Sequence, residues 1–326
     1  MAVIDLLPER APRARLDRIE APVEDSDPYG IDVQLALYTC YELHYRGFAG
    51  VDPEWEWNPG LLHLRARLED AFLTAIRREA ADPAERDATA AGELHRLMAG
   101  PPADDGPAGY LRDRGDQQQL REYFVHCSPR HLREGDPRTW TLPRLSRLPR
   151  VAGAGLMATE FDEIVAGRDA WGCGQLFADL MVAADLDPGH LAYIDVVPAE
   201  ALAVVNLVSL LGLHRRHRGA ALGHFAATSI TTARRARLVL DAMDRLDAPE
   251  PCRAFYRGEI AADSMGEDSV RTTVAAALTG RGPDLEADAI FGVRAFGVVE
   301  NRLATRLLRC WEAGSSSLRR PLRTVD

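Results

Sequence analysis

The amino-acid sequence predicts an all-α fold, a helical bundle preceded by an N-terminal helical annex. Three observations support this prediction. Apolar residues recur at three- and four-residue spacing through most of the chain, which is the period of an amphipathic helix. Alternating runs such as 192–197 are too short and too isolated to build a sheet. Prolines and glycines are concentrated between the helical segments, where they end helices.

The helical pattern and its interruptions divide the sequence into four segments. Residues 1–30 carry prolines and scattered charges without periodicity, which predicts an irregular leader. Residues 31–100 form a predicted N-terminal helical annex, and the segment GPPADDGPAG after it cannot continue a helix. A helical bundle is predicted over 110–314, followed by a flexible tail over 315–326. The predicted helices span approximately residues 31–48, 60–80, 87–98, 111–134, 151–166, 173–185, 198–213, 216–246, 251–264, 269–279 and 284–312.

The composition excludes several classes of protein. The chain has 326 residues, 46% apolar and 27% charged, as in an ordinary globular protein. A formal charge of −10 disfavours nucleic acid as a partner, and no apolar run approaches the ~20 residues that a membrane span requires. The N-terminus has no apolar stretch typical of a secretory signal, so we expect a cytoplasmic protein. The five cysteines are widely spread without a CxxC pair, so neither a disulfide framework nor a thiolate zinc site is predicted.

Polar side chains on predicted helices are the candidates for a functional site. The common motifs of nucleotide-binding and hydrolytic enzymes are absent, and no lysine is present to form a Schiff base. Glu122, His126, Arg130 and Glu134 are spaced by four residues and therefore share one helical stripe. They could form an inward-facing site, as helical bundles do, or a solvated salt-bridge face. The apolar neighbours at 123–125 count against a wholly polar face.

Further acidic candidates lie on two later helices. Glu160 has apolar neighbours and can face the core, although a lone acid of this kind is more often on the surface. Glu259 and Asp263 are four residues apart, and like charges on one helical face repel unless a cation or a proton lies between them. They are candidates for a shared metal or proton, with a pair of exposed acids as the equal alternative.

A segment rich in histidine and arginine, LHRRHRGAALGH, lies between Glu160 and Glu259 along the chain. His214 and His217 are three residues apart and could chelate a metal, with His224 roughly on the same face. The neighbouring arginines make hydrogen bonding or anion binding an equal alternative for these histidines.

Several short segments, in order from about residue 31 to residue 319, resemble the heme-oxygenase-like diiron oxidases, a family of iron-containing redox enzymes. These segments are YELHYRGF, EWEWNP, REYFVHCS, LREGDPRTW, QLFADLM, VNLVSLLGLHRR and WEAGSSSLR. The resemblance implies a heme-oxygenase-like helical bundle that binds two irons and dioxygen. It also implies oxidation of amines, amino acids or fatty acids, frequently in natural-product pathways.

The metal-site pattern of this family is only partly matched. The resemblance implies ligation by Glu134 and Glu160, and by Asp263 in a late motif that begins with Glu259 in place of a histidine. Cys173 stands near the position of another expected histidine. The predicted metal ligands are therefore Glu134, Glu160, Cys173, Glu259 and Asp263. Such an oxygen-rich set suits magnesium, manganese or calcium better than redox iron.

Three functional hypotheses remain open. The first is an oxidoreductase that uses dioxygen at a non-heme iron or manganese site on a small amine, amino-acid or natural-product intermediate. The second is metal-independent acid–base chemistry, with Glu160 as the acid and His126 or His214 as catalytic partner. The third is a non-catalytic binding or assembly subunit. Arg130 and Arg215 are candidates for orienting a substrate carboxylate or for a structural role alone, and a homodimer is left open.

Overall fold

The computed structural model of the chain describes residues 7, 23–81, 88–99, 106–132, 170–262 and 283–322. The described residues form α-helices and short 3-10 helices without a strand, so the all-α prediction is confirmed for them. The helices are α1 (Ile31–Glu42), α2 (Pro59–Ala80), α3 (Ala90–Ala99), α4 (Pro107–Asp113), α5 (Gln117–His131), α6 (Ala170–Ala183), α7 (Ala199–Leu213), α8 (Arg218–Arg245), α9 (Glu250–Ala262) and α10 (Pro283–Glu312). The helices predicted over 151–166 and 269–279 lie outside the described residues. Within the described ranges, every helix is too short or too polar to traverse a lipid bilayer.

Helices α8 and α10 make the most extensive contact between described elements. Glycines allow their backbones to approach closely. A Cβ atom added at Gly223 would overlap the backbone carbonyl of Ala289, and one added at Gly292 would overlap that of Ala220. Helix α8 also contacts α4 and α9, while α10 contacts α2, α3 and α7. The close pair therefore connects helices from both ends of the chain.

Helices α1 and α2, which belong to the predicted annex, pack directly on the bundle helices. Helix α1 contacts α7, and α2 contacts α10. Trp55 and Phe72 share one hydrophobic cluster with Val299 of α10. Nδ2 of Asn206 donates hydrogen bonds to the backbone carbonyl and the side-chain oxygen of Gln34, at 2.7 and 2.9 Å. The annex and the bundle thus share a core, and the boundary predicted near residue 100 lies outside the described residues.

Helix boundaries differ from the predicted ones where a cap or a glycine interrupts the helical pattern. The single helix predicted over 111–134 is interrupted between α4 and α5. Asp116 begins α5 with a capping box: its carboxylate accepts from the N–H of Gln119, whose side chain accepts from the N–H of Asp116. Helix α1 ends at Glu42 rather than near residue 48, and Gly47 follows with φ of 67°, a conformation that glycine adopts readily.

The segment after α10 packs against the bundle. Ser317 is completely buried, and Leu318 is buried within the hydrophobic cluster of α5, α7 and α9. The backbone N–H of Arg319 donates to the carbonyl of Val196 at 2.8 Å. The expectation of a flexible tail from residue 315 is therefore corrected for these residues, because apolar burial and hydrogen bonds hold them in place.

Candidate functional site

A cavity of about 150 Å³ lies between helices α5, α7, α8, α9 and α10 and the start of α4. Most of the surface of its wall is apolar, which is typical of pockets that bind small molecules. The polar and ionisable residues that line it are Tyr123, His126, Cys127, Arg130, His131, Thr232, Arg235, Tyr256, Glu259 and Glu300.

Arg235 and Glu300 form an ion pair in the cavity wall. Nη1 of Arg235 on α8 lies 2.9 Å from Oε2 of Glu300 on α10. The nearby carboxylate raises the pKa of the Arg235 guanidinium above its ordinary value. The guanidinium is therefore charged, and Glu300 has this cation as its partner.

The thiol and the phenols of the cavity stay protonated. Removal from water raises the pKa of Cys127 to about 12, despite the two guanidinium groups nearby. Burial likewise raises the pKa of Tyr123 and of Tyr256. Without a bound cation, Cys127 is therefore a thiol rather than the thiolate that metals bind. These three groups can instead donate hydrogen bonds into the cavity.

Glu122, one turn before His126 on α5, is held by the C-terminal segment. Its Oε2 atom accepts hydrogen bonds from the backbone N–H and the hydroxyl of Ser317, at 2.9 and 2.7 Å. The indole N–H of Trp311 donates to the same oxygen at 3.0 Å. Burial raises the pKa of Glu122, but the serine and tryptophan donors outweigh it and the net pKa is lowered. Glu122 is thus a buried, ionised and multiply hydrogen-bonded carboxylate.

His126 is the buried imidazole of the cavity wall. Its Nε2 atom lies 2.8 Å from the hydroxyl oxygen of Ser317. Burial lowers the pKa of His126 to about 3, and Arg306 acts in the same direction while Glu122 opposes it. The imidazole is therefore neutral near pH 7 and offers one N–H donor and one lone pair.

His131, at the end of α5, lies against two aromatic rings. Its ring centroid is 4.9 Å from that of Phe177 on α6 and 5.0 Å from that of Phe255 on α9. The two phenylalanine rings are 5.0 Å apart and nearly perpendicular. This aromatic cluster connects α5, α6 and α9 beside the cavity.

Sequence analysis did not single out Arg235, Glu300 or His131. Arg235 and Glu300 are 65 positions apart on two long helices, so no local spacing links them. One usable signal was the position of Glu300 at the end of the apolar stretch FGVV, the same kind of setting that drew attention to Glu160. His131 follows His126 by five residues and so falls off the four-residue stripe.

The cavity brings together three of the residues predicted for the site, namely His126, Arg130 and Glu259. They come from α5 and α9, which are distant in sequence. Glu259 is half-buried and makes no ion pair with any of the described residues. A guanidinium, a carboxylate and a neutral imidazole thus line one cavity.

His214 and Arg215 lie elsewhere, in an open cleft of about 900 Å³ next to the start of α8. Nε2 of His214 is 2.8 Å from Oε2 of Glu69 on α2. Glu69 also accepts a hydrogen bond from the hydroxyl of Tyr41, at 3.1 Å. The structure therefore places His214 in the contact between the annex and the bundle, apart from His126.

Four of the five predicted metal ligands have no described side chain. Glu134, Glu160 and Asp263 lie outside the described residues, and Cys173 lies within α6. Their ligation of a metal stays a prediction, as does the role of Glu160 as an acid.

Residues 121–299 match the sequence pattern of a family described as iron-containing redox enzyme. The match covers more than half of the chain. The protein belongs to the iron-containing redox enzyme family. The matched range extends from α5 into α10 and so includes most of the cavity wall, whereas Ser317 lies beyond it. No curated protein matches the chain.

The described residues of this family member do not by themselves fit an iron site. Within the described ranges, no group of three or more histidine, cysteine, aspartate or glutamate side chains could hold a metal ion. Glu300 is paired with Arg235, and Cys127 keeps its proton. The guanidinium of Arg130 also places a positive charge at the cavity. A metal bound here would need ligands from outside the described residues.

Proposed function

We propose that the protein is an oxidase or oxygenase that acts, with dioxygen, on a small amine, amino-acid or natural-product intermediate bound in the cavity between α5, α7, α8, α9 and α10. The observation that carries this proposal is the convergence of His126, Arg130 and Glu259 on one small, mostly apolar cavity. Membership of the iron-containing redox enzyme family supports the redox part of the proposal.

The size of the cavity supports a small substrate. A cavity of about 150 Å³ is the size that accommodates a benzene ring in a protein interior. A substrate of that size would contact apolar residues of α7 and α10, such as Val205 and Leu303, over most of its surface. Its polar atoms would then meet the few charged groups of the wall.

The charged groups favour a substrate with its own polar ends. Arg130 offers the fork of N–H donors that suits a carboxylate. Glu259 offers a carboxylate that suits an ammonium group or another N–H donor. Arg235, whose charge is balanced by Glu300, would position the substrate through its remaining N–H donors.

The metal site of the proposed enzyme departs from the family pattern. Of its five predicted ligands, Glu259 is the one whose side chain is described, and it lines the cavity. The others are Glu134, Glu160, Cys173 and Asp263. We propose non-heme iron or manganese as the metal, held by carboxylates of this set.

Metal content and oxygen consumption test the proposal. The protein is purified without oxygen, incubated with iron or with manganese, and assayed against small amines and amino acids. Bound metal and substrate-dependent oxygen consumption are expected, and Glu259→Gln is expected to abolish the consumption. Glu250→Gln on the same helix is the matched control, because Glu250 is exposed and pairs with Arg257 at the surface. Absence of both bound metal and oxygen consumption would contradict the proposal.

Metal-independent acid–base chemistry in the same cavity is the second candidate. The observation that favours it is the guanidinium of Arg130 in the cavity wall, because a guanidinium opposes a bound cation and can stabilise an anionic intermediate. In this case, turnover of a substrate would continue without oxygen and in the presence of a metal chelator. Loss of turnover under either condition would exclude it.

A further inference from the structure

Ser317 lies between the carboxylate of Glu122 and the imidazole of His126 in a buried cluster. The exposed fractions of Glu122, His126 and Ser317 are 2%, 5% and 0%. Glu122 and His126 belong to α5, inside the range matched by the family, but Ser317 follows α10 and lies beyond that range. The C-terminal segment of this chain therefore adds a polar group directly behind the cavity wall.

The hydrogen bonds determine which nitrogen of His126 carries the proton. An ionised carboxylate only accepts hydrogen bonds, so the hydroxyl hydrogen of Ser317 is directed to Oε2 of Glu122, at 2.7 Å. The oxygen of Ser317 is then the acceptor for His126, whose Nε2 lies 2.8 Å away. Nε2 must therefore carry the hydrogen. Because the imidazole is neutral, Nδ1 is left with a lone pair.

Nδ1 of His126 is buried and has no hydrogen-bond partner among the described residues. A buried acceptor without a partner destabilises the folded protein and is uncommon in native structures. His126 lines the cavity, and because the Nδ1 atom itself is covered by neighbouring wall atoms, a molecule bound there must displace those atoms to supply the missing donor.

We propose that Ser317 and Glu122 are positioning residues that hold His126 as the Nε2–H tautomer, so that Nδ1 accepts a hydrogen bond from an N–H or O–H group of a cavity ligand. The proposal deepens the proposed function, since it rests on the cavity being the substrate site. Glu122 orients the hydroxyl of Ser317, and that hydroxyl fixes the imidazole. His126 is the one member of the cluster that touches the ligand.

The tautomer is measured by nitrogen NMR of protein labelled with ¹⁵N-histidine. The signals of His126 are assigned from their loss in His126→Gln. The parent protein is expected to show a protonated Nε2 and an unprotonated Nδ1. Ser317→Ala removes the acceptor and is expected to give a mixture of tautomers, whereas Ser317→Thr keeps a hydroxyl and restores the parent pattern.

Ser315→Ala is the matched control for these variants. Ser315 lies in the same segment, but it is exposed and its hydroxyl donates to the carbonyl of Cys310. It is expected to leave the His126 signals unchanged. A parent-like tautomer in Ser317→Ala would overturn the proposal. A protonated Nδ1 in the parent protein would also overturn it, and that measurement does not depend on the folding of the alanine variant.

Ligand binding is tested with aniline and toluene, which have nearly the same shape but differ in the N–H donor. Aniline is expected to shift the Nδ1 signal of the parent protein, and toluene is not. The ratio of aniline affinity to toluene affinity should fall about twofold or more in Ser317→Ala, because only the fraction of the protein with an unprotonated Nδ1 can accept the hydrogen bond. An unchanged ratio, or no Nδ1 shift with aniline, would overturn the ligand part of the proposal.

These measurements need neither a metal nor turnover. Failure of the tautomer or affinity tests would therefore leave the oxidase proposal standing. Conversely, an enzyme without bound metal or oxygen consumption could still show the predicted tautomer and affinity ratio.

Discussion

Arg235 on α8 and Glu300 on α10 form a 2.9 Å ion pair in the wall of the cavity. Their side chains are only 30% and 20% exposed. Glu300→Gln leaves the guanidinium without its counter-charge in a largely dry environment. We expect the free energy of unfolding to fall by about 2–3 kcal/mol, since breaking one partner of a buried pair leaves an uncompensated charge. Urea denaturation measures this change.

An exposed ion pair in the same part of the chain provides the control for Glu300→Gln. Arg257 and Glu250 on α9 pair through side chains that are 56% and 65% exposed. Because water screens such a pair, Glu250→Gln should lower the free energy of unfolding by less than about 1 kcal/mol. Equal losses in the two variants would show that burial does not set the strength of the Arg235–Glu300 pair.

The close approach of α8 and α10 can be tested with two glycines of the same helix. A Cβ atom at Gly292 would overlap the backbone of Ala220, whereas one at Gly297 meets nothing within 4 Å. Gly292→Ala should therefore lower the free energy of unfolding by about 1–3 kcal/mol or more, because backbone atoms must move apart. Gly297→Ala should raise it by about 0.5–1 kcal/mol, since alanine favours helix. A stable Gly292→Ala protein would contradict the packing described for this helix pair.

The dependence of stability on pH follows from the buried imidazole of His126. Its pKa is lowered from 6.5 to about 3. Between these values the unfolded chain binds a proton that the folded protein does not, so the free energy of unfolding falls as the pH falls below about 6.5. His126 alone should lower the free energy of unfolding by about 2 kcal/mol between pH 7 and pH 5. This follows because pH 5 lies about 1.5 units below the pKa of the unfolded chain, and each unit corresponds to about 1.4 kcal/mol.

Urea denaturation at pH 7 and pH 5 checks this expectation. His126→Gln removes the titrating group, so the loss between the two pH values should shrink by about 2 kcal/mol. His95→Gln serves as a control, because His95 is exposed. If the free energy of unfolding of His126→Gln depended on pH as that of the parent does, His126 would not be a buried, neutral imidazole.

The helical fold could be predicted from the sequence because apolar spacing along each helix is a local property. The starts of α7 and α10 lie within one residue of the predicted ones. The prediction was wrong where a local interaction interrupts a long pattern, as at Asp116, whose capping box separates α5 from α4. The apolar spacing predicts which face of a helix is buried, but it does not predict at which residue a cap begins or ends the helix.

The site could be predicted only in part, because its geometry is set by contacts between distant helices. The stripe on α5 included His126 and Arg130, which both line the cavity, although their role in function stays a prediction. Nothing local indicated that Ser317 would contact His126 across 191 positions. His214 was singled out by its spacing from His217, but its partner Glu69 lies on the annex, 145 positions away, and its role in a site stays a prediction.

The roles of His126 and His214 can be separated by matched substitutions. His214 bonds to Glu69 outside the cavity, and Glu69 keeps Tyr41 as a hydrogen-bond donor when His214 is replaced. We therefore expect His214→Gln to lower the free energy of unfolding by about 1 kcal/mol and to leave kcat/KM for oxygen consumption unchanged. His126→Gln should lower kcat/KM at least tenfold, because the glutamine cannot reproduce the oriented Nδ1 lone pair. If a folded His214→Gln protein loses turnover, then His214 acts in catalysis as its sequence position suggested, and the cavity beside His126 is not the complete site.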